Sequence, residues 1–419
     1  MGFQQGLSGL SAASKQLDVI GNNVSNANTI GFKGSRAEFS DIYASSLYGV
    51  ANAQTGIGAK TVGVSQQFTQ GNLTNTSNPM DLAIAGNGFF RVENNGDVGY
   101  MRNGQFQLDR EGYFVNNGFK LTGYQADANG TIVAGPPVEL QVDTANIGAK
   151  ATTTMTLGAN LDAKQTAPAV AFPGIDPNNP DPSSINHSRS VTVYDSLGVS
   201  HLMTFYYVKS ATPLQWNVYT RFDTDPVDMT VTPPATTPNA LLTPLTFNND
   251  GTFATPAGSV TFNAPTLSNG AAPLSVTVDL SKTTQFAGPF SVNTLTADGY
   301  SDGSLTTLAT SADGTVQARY SNGQTKTIGQ VVLTSFANVQ GLRPSGDNRW
   351  VESYESGKPK INTPGSSNVG AVQSAALEDS NVDLTSELVN MITAQRFYQA
   401  NAQTIKTQDS ILQTLINLR

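Results

Sequence analysis

LTSELVNMITAQRFYQANAQTIKTQDSILQTLI, residues 384–416, places Leu384, Leu388, Met391, Gln395, Tyr398, Ala402, Ile405, Asp409, Leu412 and Ile416 at alternating spacings of four and three. That alternation is a heptad, and it predicts a long helix with one continuous seam. One layer (Leu384, Met391, Tyr398, Ile405, Leu412) is apolar throughout, and the other is mixed. Asn381 or Asp383 can supply the N-cap, with Glu387 in the first turn.

The other end of the chain repeats the pattern. Phe3, Leu7, Leu10, Ser14, Leu17, Gly21 and Val24 keep the same alternation, and the Asn-rich stretch up to Asn28, with Gly31, predicts where the helix stops. Half-polar seams of this kind suit helices that pair with each other and also with neighbours, rather than a closed dimer zipper. Charge agrees with that division. Residues 1–30 carry one Lys and one Asp, and 381–419 carry three basic and three acidic residues, so the whole net charge of −8 sits on the middle. The apolar positions Leu7, Leu10, Leu17 and Val24, with Leu384, Leu388, Met391, Tyr398, Ile405 and Leu412, are therefore the expected assembly residues.

Between the ends the period changes from helical to alternating. Phe89-Phe90-Arg91-Val92 is followed by Asn94-Asn95-Gly96, and later strand-like runs are punctuated by 109–112 and by Asn117-Gly118. These are hairpins in series. A second hairpin region covers Val191 to Tyr194, a turn at Asp195 to Gly198, then 201–208 and 216–219; a third runs from about 314 to 337 with Asn322-Gly323 as its turn. Fifteen of the 21 prolines lie between Pro168 and Pro289, marking an inserted β region whose prolines sit on edges and loops. The expected fold is mixed, mainly β: β domains, one nested in the other, flanked by N- and C-terminal α-helices that form a coiled-coil layer. The expected division is 1–30 with 381–419 as the helical domain, 31–70 with 345–380 as connector, 71–150 with 285–344 as an inner β domain, and 151–284 as the inserted outer one.

Several function classes lose support at once. The net charge of −8 gives no electrostatic footprint for nucleic acid or an anionic membrane. No cysteine is present, which removes disulfides, thiolate catalysis and Cys-based metal sites. No run of about 18 apolar residues offers a membrane-spanning helix. The start, MGFQQGLSGL, has neither a basic n-region nor an apolar h-region, so export is expected to proceed without a cleaved signal peptide. The two histidines, His187 and His201, lie in no catalytic or metal-ligand spacing, and His201 reads as a strand residue after a hairpin turn. Asp298-Gly-Tyr-Ser-Asp302-Gly303 lacks the closing Glu of a calcium loop and reads as a plain turn. No catalytic residue, metal site or cofactor is expected.

The end segments also resemble a known family. LSGLSAASKQLDVIGNNVSNANTIGFK (7–33) is similar to the N-terminal signature of flagellar rod and hook proteins. GNGFF (86–90) and YMRNGQF (100–106) are similar to their first β domain, and SNVDL (380–384), ELVNM (387–391) and TIKTQD (404–409) to their C-terminal signature. Rod proteins are shorter and lack a large insert, and VYDSLG (193–198) with Trp216 resembles the insert of hook proteins, so the resemblance points to the hook branch. It implies a structural subunit of a flexible helical tube outside the cell that carries torque from rod to filament as a universal joint. The implied partners are the chain itself, the distal rod, hook cap and hook–filament junction proteins, and the flagellar export apparatus, with no nucleic acid and no membrane insertion. Two rival readings are a hook–filament junction protein, which would carry a longer helical region, and a secreted β-rich adhesin or binding module.

Overall fold

The computed structural model of the chain describes residues 2–42, 56, 58–127, 129–174, 176, 179–223, 241–256, 258–263, 267, 269–366 and 368–417. Six prolines of the inserted region, Pro177, Pro226, Pro233, Pro234, Pro238 and Pro265, lie outside the described residues. The chain forms two compact units, one from residues 1–144, 307–319 and 325–419, the other from 145–306 and 320–324.

The first unit contains both long helices, α1 (Gly2–Ser25) and α2 (Leu384–Asn417). Asp383 is the cap of α2: its Oδ1 accepts from the Thr385 and Ser386 amides at 2.8 and 3.0 Å, satisfying donors that a helix start leaves free. Asn381 does something else, described below. After α1 the chain makes a hairpin of β1 (Ser35–Ile42) and β2 (Gly58–Gln66), which occupies most of the stretch read from sequence as connector. It lies along α1, where Gln5 Nε2 donates to the Gly56 carbonyl at 2.6 Å.

The β body of this unit closes the chain on itself. The strand β3 (Leu73–Asn75) pairs with Ala376–Glu378, and β4 (Leu82–Ala85) pairs with Ala371–Ser374, so the segment entering the body lies beside the segment leaving it. β5 (Phe89–Asn94) and β6 (Asp97–Met101) are joined by Asn95-Gly96, with φ of 50° and 88°. Two successive positive φ values make the two-residue turn that the Asn-Gly pair predicts. A mainly antiparallel sheet continues from β5 to Phe119–Gln125 on one side and through β6 to Arg349–Val351 on the other. On it, Phe68, Phe89, Tyr100, Phe336 and Trp350 pack edge-to-face around Leu342, with ring centroids 4.8–6.1 Å apart. This is the favoured aromatic geometry, contributing about 1 kcal/mol per pair beyond area burial. Burial, helped by the nearby Glu352 carboxylate, raises the Tyr100 hydroxyl to about 12, so it stays protonated at all ordinary pH.

The second unit is a two-sheet sandwich. One sheet is an antiparallel meander of His187–Tyr194, Ser200–Lys209, Gln215–Phe222, Leu241–Phe247 and Phe253–Thr255. The other has the order Val260–Asn263, Ser275–Asp279, Thr154–Asn160, Ser291–Ala297, with its middle pair parallel. Alternate residues point inward from both sheets, and Met155, Leu157, Phe205, Trp216, Phe262 and Val276 form part of one shared core. The sequence-based boundary at 284/285 falls inside this unit, because Ser291–Ala297 completes its second sheet. The acidic turn that begins at Asp298 is fully engaged by protein donors: its carboxylate accepts from the Thr153 and Thr154 amides, the Thr153 hydroxyl and Lys150 Nζ, at 2.7–3.0 Å. Burial acts to raise the Asp298 pKa, but these hydrogen bonds overcome it and hold the carboxyl below its ordinary range.

One glycine is required by its surroundings. Gly31, between α1 and β1, has φ +69°, and a Cβ there would sit 2.6 Å from the Asn103 amide nitrogen and 2.7 Å from the Arg102 carbonyl carbon. Both neighbours are backbone atoms and cannot rotate away. Gly31→Ala is expected to destabilise the first unit by about 1–3 kcal/mol in urea unfolding; a variant as stable as the parent would contradict this close approach.

Candidate assembly interface

The two terminal helices lie against each other antiparallel. Near one end Gly6 faces Ile405, and near the other Asn23 Nδ2 donates to Glu387 Oε1 at 3.3 Å. The residues that α1 buries are Gly6, Ala13 and Ile20, seven apart, with Val19 and Asn23 beside them. Across from them α2 buries Ala394 completely and half-buries Met391, Asn401, Ala402, Ile405 and Gln408. The approach is close because α1 is small there. A Cβ on Gly6 would meet Ile405 Cγ1 at 2.9 Å, and one on Gly9 would meet Asn401 Oδ1 at 2.7 Å.

On α1 the intrachain seam is therefore set one residue before the heptad read from the sequence, while α2 contributes Met391, Ala402 and Ile405 from that heptad together with Ala394, Asn401 and Gln408. Of the expected assembly residues, Met391 and Ile405 are half-buried on α2, and Leu10, Leu17 and Val24 are half-buried on α1. Leu7 (52% exposed), Leu384, Leu388 (49%), Tyr398 and Leu412 (54%) stay exposed. Val389, Ile392, Phe397, Ile411 and Ile416 on α2 are exposed as well. The structure thus closes a small-residue contact within the chain and leaves many bulky apolar side chains of α2 in water. Leaving that many apolar side chains exposed along one helix marks an interaction surface. Moving each from half-exposure to full burial would contribute about 1 kcal/mol. Five hydroxyls on α2 (Thr393, Thr404, Thr407, Ser410 and Thr414) donate to carbonyls one turn back at 2.9–3.0 Å. Their hydrogen-bonding needs are met within the helix, so burying them against a neighbour leaves no donor unpaired.

Both helices are rooted in the β body by charges that sequence reasoning did not single out. Glu378, fully buried, accepts from Lys33 Nζ at 2.5 Å and the Gly71 amide at 2.9 Å through one oxygen, and from Arg102 Nη1 at 3.0 Å through the other. Lys33 also donates to the Thr69 carbonyl at 2.8 Å, and Arg102 Nη2 to the Gly86 carbonyl at 2.9 Å. Burial pulls the Lys33 and Arg102 pKa values down, opposed by the Glu378 carboxylate they share. A second bridge lies next to this one: Asn381 Oδ1 accepts from the Gly34 amide at 2.8 Å while its Nδ2 donates to the Gln67 carbonyl at 2.6 Å. Asn23 likewise exchanges two 2.8 Å bonds with the Ser35 backbone. The exit of α1 and the entry of α2 are thus tied to each other and to the strand beneath. The available signal was Lys33 and Glu378, charges near the ends of the two helices in a chain with only 13% charged residues. Among the described residues no helix is long and apolar enough to cross a membrane, and no cluster of acidic or histidine side chains could hold a metal ion.

Paired terminal helices rooted in a β body that carries a second β unit as an insert define an axial structural subunit. Comparison with known proteins agrees along the whole length. Residues 3–33 match the family described as flagella basal body rod protein, 83–160 the flagellar hook protein FlgE/F/G D1 domain, 160–300 the flagellar basal body protein FlaE D2 domain, and 373–418 the flagellar basal body rod FlgEFG protein C-terminal region. The flagellar hook protein FlgE of Escherichia coli is 44% identical and that of Salmonella typhimurium 43%, each aligned over 100% of both chains. FlgE of Borreliella burgdorferi is 31% identical over 99% of this chain and 98% of its own. A crystal structure of Helicobacter pylori FlgE2 has the same fold over 73% of this chain and 100% of its own, with a TM-score of 0.51 at 14% identity. The chain belongs to the flagellar hook protein family, whose members are structural subunits. These full-length matches do not favour the junction-protein or adhesin readings. Lys33, Arg102 and Glu378 come one each from three of the matched segments.

Removing one member of the buried triad leaves an uncompensated charge. Glu378→Gln is expected to cost about 3–5 kcal/mol in urea unfolding. The triple replacement Lys33→Met, Arg102→Met, Glu378→Leu is expected to cost clearly less, because no charge remains buried alone. Equal losses for the two would show that packing, rather than charge balance, governs this position.

Proposed function

We propose that the chain polymerises through its terminal helices into the flexible helical tube of the flagellar hook, which passes torque from rod to filament as a universal joint. The observation that carries this reading is the set of bulky apolar side chains of α2, Leu384, Leu388, Tyr398 and Leu412 among them, that stay exposed although α1 is already in place. A helical tube needs a surface on each subunit that another copy completes head to tail, and such an interface propagates instead of closing. The charge-poor N-terminal end, with one Lys and one Asp in residues 1–30, supports it, since burying charge during assembly would be costly. The expected assembly residues are Leu7, Leu10, Leu17, Val24, Leu384, Leu388, Met391, Tyr398, Ile405 and Leu412. Of these, the ones exposed in the single chain bind neighbours and the half-buried ones support both contacts. The helical ends then form an inner layer, and weakly gripping polar β surfaces slide against neighbouring copies as the tube bends.

The partners in this reading are other copies of the chain, the distal rod protein, the hook cap protein, the hook–filament junction protein and the flagellar export apparatus. The location is the hook outside the cell. Deleting residues 1–25 and 384–419 keeps the Lys33–Glu378–Arg102 root and is expected to leave a folded, β-rich monomer that forms no tubes by electron microscopy. Tubes of normal diameter from that variant would falsify the proposal. Leu388→Asp in the full chain is expected to leave monomer stability within about 0.5 kcal/mol, as for an exposed site. It should raise the critical concentration for assembly at least about tenfold, the equivalent of 1.4 kcal/mol.

A further inference from the structure

The second unit places one histidine between two carboxylates. His201 Nδ1 lies 2.7 Å from Asp223 Oδ2, and Nε2 lies 3.3 Å from Asp195 Oδ2. The side chain is 10% exposed and its ring stacks on Phe222 with centroids 5.0 Å apart. Asp195 is fully buried and already accepts from the Leu197 and Val199 amides at 2.9 Å each and from Asn269 Nδ2 at 2.6 Å. Asp223 Oδ1 accepts from the Leu202 amide at 2.8 Å. Burial acts to raise the Asp195 pKa, but its hydrogen bonds overcome it and hold the carboxyl below its ordinary range; an ionised carboxylate only accepts.

A neutral imidazole has one N–H to give, so it can serve one of the two carboxylates but not both. Only the imidazolium makes both contacts. Among the described residues, the charged groups facing the ring are Asp195, after strand His187–Tyr194, and Asp223, after strand Gln215–Phe222; Asn269, which also donates to Asp195, is uncharged. Asp195 also shapes the turn at 195–199, which carries the exposed side chains Leu197 and Val199.

We propose that His201 is a pH-sensitive latch. Doubly protonated, it ties the 195–199 turn to the end of strand Gln215–Phe222; neutral, it keeps Asp223 and releases Asp195. The longer contact is the one to open, because Asp195 retains three other donors while Asp223 holds the shorter bond. Burial alone would lower the His201 pKa, but the hydrogen bonds and charges of Asp223 and Asp195 outweigh it and raise it above the ordinary histidine value. Its stabilising contribution is therefore complete below about pH 6.5 and is lost as pH rises through the folded value.

The chain has only two histidines, which makes the test direct. His187 stacks on Phe290, and its pKa is lowered by burial, so the two rings are expected to titrate on opposite sides of the free value. Histidine-selective labelling and NMR titration of the monomeric full chain, assigned with His187→Asn, should give one midpoint above about 6.5 with both ring nitrogens protonated below it. Above that midpoint the Nδ1–H tautomer should dominate. Asp223→Asn should lower the midpoint by at least about one unit, a tenfold change in proton affinity. A His201 midpoint at or below the free value, an Nε2–H tautomer at high pH, or no change in Asp223→Asn would each overturn the latch. Leu197 and Val199 amide signals should shift with the same midpoint, and signals that do not follow it would overturn the coupling to the turn.

Discussion

Glu378 is the point through which the helical ends and the β body of the first unit are joined. It receives Lys33 from just after α1, Arg102 from just after β6 and the Gly71 amide from just before β3, and it lies five residues before the cap of α2. A carboxylate sealed from water is held there only by those donors, so each must be in place for the others to be tolerable. That mutual requirement fixes where α1 ends and where α2 begins. Gly31 reports the same constraint sterically: it donates its amide to the Glu378 carbonyl at 2.7 Å while pressed against the Arg102–Asn103 backbone. The contribution of the triad is less net energy than one permitted arrangement of five chain segments.

With the roots fixed, the helices can be read as two-faced. Glycine and alanine on α1 let the backbones approach and satisfy one side of α2 inside the chain. Bulky apolar residues on α2 remain outward with their polar neighbours internally bonded. Isolated helices are marginal in water, and most helical stability comes from packing an apolar face. A half-satisfied helix pair therefore gains stability from each added neighbour, which is the property that a subunit adding to a growing end requires.

Much of the fold was legible because its signals are local. The heptads gave both helices, and Asn95-Gly96 and Asn117-Gly118, each with two positive φ values, marked hairpin turns where the two-residue loop chemistry requires them. The seam was read from the bulky positions, Leu7, Leu10 and Leu17, whereas the chain closes on Gly6, Ala13 and Ile20. Size alone misleads there, since close helix approach selects the smallest side chains. The triad was hidden for a different reason: Lys33 and Glu378 are 345 residues apart, and no periodicity links them. His201 read correctly as a strand residue, but its two carboxylate partners come from different turns and only the folded sheet brings them together.

The central claim is that the outward face of α2 is covered by other copies and the inward face by α1. Because the chain contains no cysteine, single thiols can report on each face. The direct measurement is the rate of maleimide labelling of Leu388→Cys and Ala394→Cys, in the monomer and in assembled tubes. The account predicts that Cys at 388 labels rapidly in the monomer and is protected at least about tenfold in the tube, while Cys at 394 is protected in both. Equal labelling of position 388 in monomer and tube would contradict it.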